Sequence, residues 1–351
     1  MSSIENRRNV VTGEMIIVSP GREKSLEQLM RRASRDWSGF NAAFVDGTRC
    51  PFCAGHEAHT PPEVMVYRQA GTPENTPGWW VRVVPNLGPA ADEGLADLVL
   101  NERRMGICGA TNGYGFHYVI VESPMHDIGM QTMDLRQVCE VVHMWRAVSL
   151  MLAAKPNIAH ISLFKNVGPT AGASQPHSHS QAVALPVLPA AILTELRGAK
   201  IYHDDHKKCP FCEEIAWELS VGHRIVAETS RFVAWCPYVS MSPYQIRISP
   251  KGHQSSFTQI GTYGDLSPLV EFADLLRQVL ARMRSTLNDP DWNLYFHTAP
   301  SNNSDLPYSH WYCQTVPVTP AIQAGFEKGN GVIMLPRSPE SAAKDLRDVK
   351  P

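Results

Sequence analysis

The chain lacks any apolar run of transmembrane length. Its longest candidate, Ala182 to Leu193, is about a dozen residues and is broken by Pro186 and Pro189, too short to span a bilayer. It also lacks a surplus of one charge. The 32 Lys and Arg against 34 Asp and Glu give a formal charge of −2, so no broad basic surface is available and nucleic acid is not expected as a partner. The opening residues, Met1-Ser2-Ser3-Ile4-Glu5-Asn6-Arg7-Arg8, have no apolar stretch of the secretory-signal kind. The expectation is a cytoplasmic protein with no membrane association. Composition is otherwise ordinary for a globular chain, at 43% hydrophobic and 19% charged residues. A length of 351 residues accommodates one large domain or two fused ones.

Against that background, four of the eight cysteines stand out. They form two Cys-Pro-Phe-Cys tetrads, Cys50 to Cys53 and Cys209 to Cys212. In a cytosolic chain such pairs point to metal or redox chemistry more than to structural disulfides. The second tetrad opens a repeat. In the first half the tetrad is followed by the apolar strand Phe116 to Glu122 ending in Ser123-Pro124-Met125-His126, a helix from about Asp134 to Lys155, the strand Ile161 to Asn166, and His177-Ser178-His179-Ser180-Gln181. The second half has Tyr244 to Ile248 ending in Ser249-Pro250-Lys251-Gly252-His253, a helix from about Leu266 to Leu287, the strand Trp292 to His297, and His310-Trp311-Tyr312-Cys313-Gln314. The same elements in the same order imply two copies of one unit. Both helices carry apolar residues at helical spacing, for instance Val138, Val142 and Trp145, or Leu269, Phe272 and Leu276. These stripes are core faces. An α+β class follows, with helices packed on a largely antiparallel sheet. Pro186 to His206 is expected to join the halves, and the tail after Arg337 to form a surface helix or a loose end.

Tetrahedral zinc takes four thiolate or imidazole ligands. The repeat points to Cys50, Cys53, His126 and His177 for one site and to Cys209, Cys212, His253 and His310 for the other, hence two Zn²⁺ per chain. Local ligation is the rival: His56 and His59 follow the first tetrad, and His203 and His206 precede the second. Merely buried thiols are the third possibility.

The run from Gln175 to Gln181 reads as an extended strand, in which side chains alternate between faces. His177, His179 and Gln181 would then point one way. With His177 on a metal, His179 remains as a nucleophile toward phosphorus, since an imidazole of ordinary pKa near 6.5 is largely neutral at working pH. Gln181 offers an uncharged amide donor to a phosphate oxygen. The preceding loop, Asn166 to Ser174, is small and glycine-containing, with donors in Asn166, Thr170 and Ser174, and Gly172 permits close approach of backbone to a phosphate. In the second half Tyr312 stands where the first has His179, so that half is expected to lack a nucleophile.

These residues resemble the galactose-1-phosphate uridylyltransferase branch of the histidine-triad superfamily. The resemblance runs over most of the chain: Val11 to Arg22 at the start, Cys50-Pro51-Phe52-Cys53, Val83-Val84-Pro85-Asn86, Ser123-Pro124-Met125-His126, Phe164 through Gln181, and Ala324-Gly325-Phe326-Glu327 near the end. It implies two fused histidine-triad-like units, residues 1–195 with the nucleophile and residues 196–351 as a structural and substrate-side half. It further implies Arg22 near the nucleotide phosphates, Asn86 near base or ribose, and Glu327 in a sugar-side segment. The implied chemistry is ping-pong nucleotidyl transfer: His179 accepts a nucleoside monophosphate from a nucleotide-sugar and passes it to a sugar 1-phosphate, in a homodimer. Ser178 and Ser180 replace the family's usual proline and glycine, and the His-Ser-His-Ser-Gln form is more similar to the ADP-glucose phosphorylase-like branch. Phosphate or water as acceptor therefore stands as the alternative. A zinc-dependent binding module is a remoter one.

Overall fold

A computed structural model describes residues 4–19, 37–40, 42–98, 103–261, 264–319 and 324–349. Its strands in chain order are β1 (Glu5–Arg8), β2 (Met15–Val18), β3 (Met65–Arg68), β4 (Trp79–Pro85), β5 (Arg103–Met105), β6 (Cys108–Ala110), β7 (Phe116–Val121), β8 (His160–Val167), β9 (His179–Leu185), β10 (Ile225–Glu228), β11 (Phe232–Trp235), β12 (Ile246–Pro250), β13 (Trp292–His297), β14 (Tyr312–Pro317) and β15 (Ile333–Leu335). Ten of them form one sheet in the order β10, β11, β12, β14, β13, β8, β9, β7, β4, β3, with every neighbour antiparallel. Five strands come from each side of the β8–β13 seam, and they come in mirrored order. Val119 faces Gln181 across β7 and β9, as Arg247 faces Gln314 across β12 and β14. The repeat read from the sequence is therefore a repeat of strand order.

The two long helices, α1 (Leu135–Ala153) and α4 (Ser267–Leu287), lie on one face of the sheet and pack on each other. Asp134 caps α1 by accepting a hydrogen bond from Gln137 N, and Pro156 closes its end. Within the predicted stripes, Val138, Val142 and Trp145, like Leu269, Phe272 and Leu276, are buried in a core shared by the halves, whereas Leu266 is exposed. On β9 the residues facing this core are small, Ser180, Ala182 and Ala184. Trp145 of α1 fits over them and donates from Nε1 to Ser180 Oγ at 2.7 Å. The small face of the strand thus admits a tryptophan, which fixes the opposite face outward.

The segment joining the halves is largely helical, α2 (Ala190–His206), and the division at 195/196 falls inside it. The second tetrad opens another helix, α3 (Pro210–Val221), with Cys209 at its N-cap and proline at the first position, where a missing N–H costs nothing. A short α5 (Gly325–Asn330) leads to β15, which pairs in parallel with β2. The tail after Arg337 forms a helix, one of the two expectations for it: α6 (Pro339–Asp348) lays Ala342, Ala343 and Leu346 against the common core and leaves Lys344, Arg347 and Asp348 exposed. Among the described residues no helix is long and apolar enough to cross a membrane.

Candidate active site and metal centres

The strand predicted over Gln175 to Gln181 begins only at His179. Residues 175–178 turn, and this turn separates the tasks of the two histidines. His177 swings toward the first tetrad. Its Nδ1 lies 3.5 Å from Cys50 Sγ and 3.6 Å from Cys53 Sγ, while His126 Nδ1 lies 3.4 Å from Cys53 Sγ. All four ligand atoms sit within 4.8 Å of one another. A tetrahedral zinc with ordinary bond lengths needs sulfur and nitrogen about 3.5 Å apart, so the set fits. The far ring nitrogens are also held: His177 Nε2 donates to Ser123 O at 2.7 Å and His126 Nε2 to Val45 O at 2.9 Å, which leaves both Nδ1 lone pairs for a metal. Burial pushes both thiols up, Cys53 to about 12, so only a cation would hold them as thiolates at neutral pH.

The second set, Cys209, Cys212, His253 and His310, gathers in the same way. Cys212 Sγ is 3.4 Å from Nδ1 of both His253 and His310, and His310 Nε2 donates to Pro250 O. The local rivals are elsewhere engaged. His56 Nδ1 donates to Cys50 O and its ring stacks on His59, while His206 Nδ1 donates to Tyr202 O.

His179 is buried, with Phe52 of the tetrad 5.4 Å away, ring to ring. Its Nδ1 donates to His177 O at 2.8 Å, which leaves the Nε2 lone pair for chemistry. Burial, and next the Lys165 cation, hold its pKa below the usual histidine range, so the ring is neutral. It lines two clefts. One, of about 260 Å³, also has Asn166, Gly168, Gln175 and Arg284 in its wall. The other, of about 150 Å³, has Asn86, Leu87, Val119, Ser174 and Gln181. The structure thus places Gln181, Ser174 and Asn86 in one cleft and Asn166 in the other, with His179 common to both. Gly172 closes the single helical turn of the loop in a left-handed conformation, φ 85°, near Asn166. Glu327 lies in α5, buried, and accepts from Ala324 N; it lines neither cleft. Arg22 lies outside the described residues.

Several supports were not foreseen. Gln181 Oε1 is engaged by His117, whose Nδ1 accepts from Ala90 N and whose Nε2–H therefore donates to Gln181 at 2.8 Å. The Gln181 amide is thereby left with its N–H₂ as the outward group. Beneath the nucleophile, Lys165 Nζ donates to Glu122 Oε2 at 2.6 Å, Ser178 Oγ at 3.0 Å and His179 O at 2.9 Å. Ser178 Oγ donates in turn to Glu122 Oε2 at 2.7 Å. Lys165 is 1% exposed and Glu122 0%. A lone Lys in an apolar strand was the available signal.

The counterpart of this site in the second half is closed. Tyr312 OH donates to Glu195 Oε2 at 2.6 Å and lies 2.7 Å from His297 Nδ1. The turn between β1 and β2 lies over it: Val11 packs into the cluster of Ala199, Phe211 and Tyr312. Gly198 lets the turn in, since a Cβ there would fall 1.7 Å from Val11 O.

A family model for the N-terminal domain of galactose-1-phosphate uridyl transferase matches residues 100–189, which hold Glu122, Lys165 and His179. An ADP-glucose phosphorylase of Arabidopsis thaliana is 34% identical over 349 residues, 99% of this chain and 93% of that one. The chain belongs to the galactose-1-phosphate uridylyltransferase family. A member from Thermotoga maritima, itself named galactose-1-phosphate uridylyltransferase, is 30% identical over 241 residues, 66% of this chain and 73% of that one. The crystal structure of the Arabidopsis ADP-glucose phosphorylase with bound ADP-glucose superposes with a TM-score of 0.80 at 33% identity, covering 99% of this chain and all of that one. A uridylyltransferase structure at 22% identity, TM-score 0.71, shares the fold over 98% of this chain. Family membership makes the chain an enzyme of the nucleotidyl-transferring kind and sets aside the zinc-dependent binding module.

Proposed function

We propose that this protein moves a nucleoside monophosphate from a nucleotide-sugar to a phosphate-bearing acceptor through a covalent intermediate on His179. The observation that carries the reading is the disposition of that ring: Nδ1–H tied to the His177 carbonyl in the preceding turn, Nε2 left with its lone pair, and two clefts meeting at it. The cleft with Asn86, Leu87 and Val119 suits the nucleoside, and Ser174, Gln181 and Asn166 supply donors to the phosphates. In the first step Nε2 forms a P–N bond to the α-phosphorus while the P–O bond to the sugar phosphate breaks, its electrons leaving on the sugar phosphate. In the second an acceptor oxygen attacks phosphorus and the P–N electrons return to Nε2. The protein contributes positioning and uncharged hydrogen-bond donors, which are large parts of phosphoryl-transfer catalysis.

The two Cys₂His₂ sets would hold structural Zn²⁺, since protein atoms fill every position of a tetrahedron. The first zinc would fix His177 and so the carbonyl that orients His179. A cytoplasmic homodimer, with Arg22 at the phosphates and the segment of Glu327 on the sugar side, completes the proposal.

Orthophosphate is the acceptor favoured by the end-to-end similarity to ADP-glucose phosphorylase; the matching uridyl transferase model favours sugar 1-phosphate. Initial rates with ADP-glucose and UDP-glucose, each against phosphate, hexose 1-phosphate and water, separate the two. Parallel double-reciprocal lines are expected for one donor and acceptor pair. Intersecting lines, or turnover retained in His179→Ala, would remove the covalent route.

A further inference from the structure

We infer that Asn293, in the second half, is a positioning residue for the phosphoryl group: it fixes which end of the Asn166 amide faces the substrate. The inference rests on the function proposed above. Asn293 sits on β13 directly opposite Asn166 on β8, at the seam between the halves. Its Nδ2 is 2.8 Å from Asn166 Oδ1 and 2.8 Å from Ala171 O. Both partners are oxygens, so both amide hydrogens of Asn293 are spent. One holds the carbonyl end of Asn166. The other holds the loop that precedes the nucleophile. With Oδ1 engaged, Asn166 can only present Nδ2–H₂ to the cleft it lines, and a Cβ at Gly172 would lie 3.8 Å from that nitrogen. An ionised phosphate oxygen only accepts, so the alternative amide orientation would turn an acceptor toward an anion.

The same strand entry makes a second grip on the loop. Asp291 Oδ2 accepts from Thr170 N at 2.8 Å and from Thr170 Oγ1 at 2.5 Å, and the carboxylate occupies the space a Cβ of Gly168 would need, 1.8 Å away. The loop of the first half is thus moulded on two side chains of the second. Gln181 is oriented by the same logic, its carbonyl engaged by His117. Two neutral amides flank the reacting phosphate, each with its oxygen turned away by a dedicated donor.

The test is Asn293→Asp, nearly isosteric but unable to donate. A carboxylate there attracts Asn166 Nδ2 and leaves Oδ1 toward the phosphate. The rate of nucleotide adduct formation on His179 in single turnover should fall about 10- to 100-fold, the worth of one hydrogen bond to a charged group. Zinc content should stay unchanged. Asn166→Ala should cost as much, and the loss in the double variant Asn166→Ala/Asn293→Asp should fall well short of the sum of the single losses, because Asn293 acts chiefly through Asn166 and only its hold on Ala171 O is independent of it. Equal rates in wild type and Asn293→Asp, or fully additive losses in the double variant, would overturn the inference. If the wild type forms no adduct with any nucleotide-sugar, the proposed function fails instead.

Discussion

Replacing Lys165 by Met tests whether the ion pair beneath the nucleophile strand holds the site together. The ammonium group donates to Glu122, to Ser178 and to the backbone carbonyl of His179. Lys165→Met keeps an unbranched apolar stem, one atom shorter, and removes all three bonds. Glu122, with no exposed surface, would keep only the Ser178 hydroxyl on Oε2. Stranding one charge of a buried pair costs about 3–5 kcal/mol. The variant should melt at least about 5 °C below wild type, and adduct formation should slow further because the His179 carbonyl has lost its anchor. Glu122→Gln/Lys165→Met removes the stranded charge and should recover more than half of the lost stability. The assay is thermal unfolding of the metal-loaded proteins, followed by single-turnover rates at a temperature where all are folded. A Lys165→Met protein melting within about 1 °C of wild type, or a double variant less stable than Lys165→Met, would refute the reasoning.

Other outcomes follow from the same geometry. His177→Ala should bring bound zinc from two equivalents to one by elemental analysis and lower the melting temperature, whereas His179→Ala should keep both equivalents. Gly168→Ala sets a Cβ against the Asp291 carboxylate at a backbone φ of 88° and should cost about 1–3 kcal/mol of loop stability, read as a slower adduct rate with little change in zinc. Glu271 illustrates acid sensitivity away from the site. Although burial opposes ionisation, hydrogen bonds from Thr229, Arg231 and Ser230 bring its pKa down to about 2 from 4.5. Its folded pKa is the lower one, so its contribution is present above pH 4.5 and is lost as pH falls toward 2. Glu271→Gln should therefore flatten the acid limb of stability in that window and leave neutral activity unchanged.

Much of this was legible in the sequence because its signals are periodic or repeated. The helix stripes predicted α1 and α4 to within about two residues at each end, and Trp292 to His297 is a strand as read. The long-range metal sets were legible only through the repeat, since no local spacing relates Cys50 to His177. What stayed hidden depends on contacts far apart in the chain. The pattern His-x-His-x-Gln is that of a strand, yet His177 is drawn out of it by Ser123 O and the tetrad. α3 was masked because Cys-Pro-Phe-Cys reads as a turn. α6 buries two alanines and one leucine, too weak a stripe to mark a core helix against the charges around it. Lys165 is a single charge in an apolar strand, Glu122 follows directly on the end of another, and Asn293 is one polar residue among many. Their meaning comes from pairing across β8, β9 and β13, which no local pattern encodes.

The most direct measurement is the mass and site of the nucleotide left on the protein after brief exposure to ADP-glucose or UDP-glucose without acceptor, quenched in alkali because a phosphoramidate does not survive acid. The account predicts one added nucleoside monophosphate per chain, mapped by digestion to the peptide holding His179 and absent from His179→Ala. An adduct that persists in His179→Ala, or that maps to another residue, would contradict it.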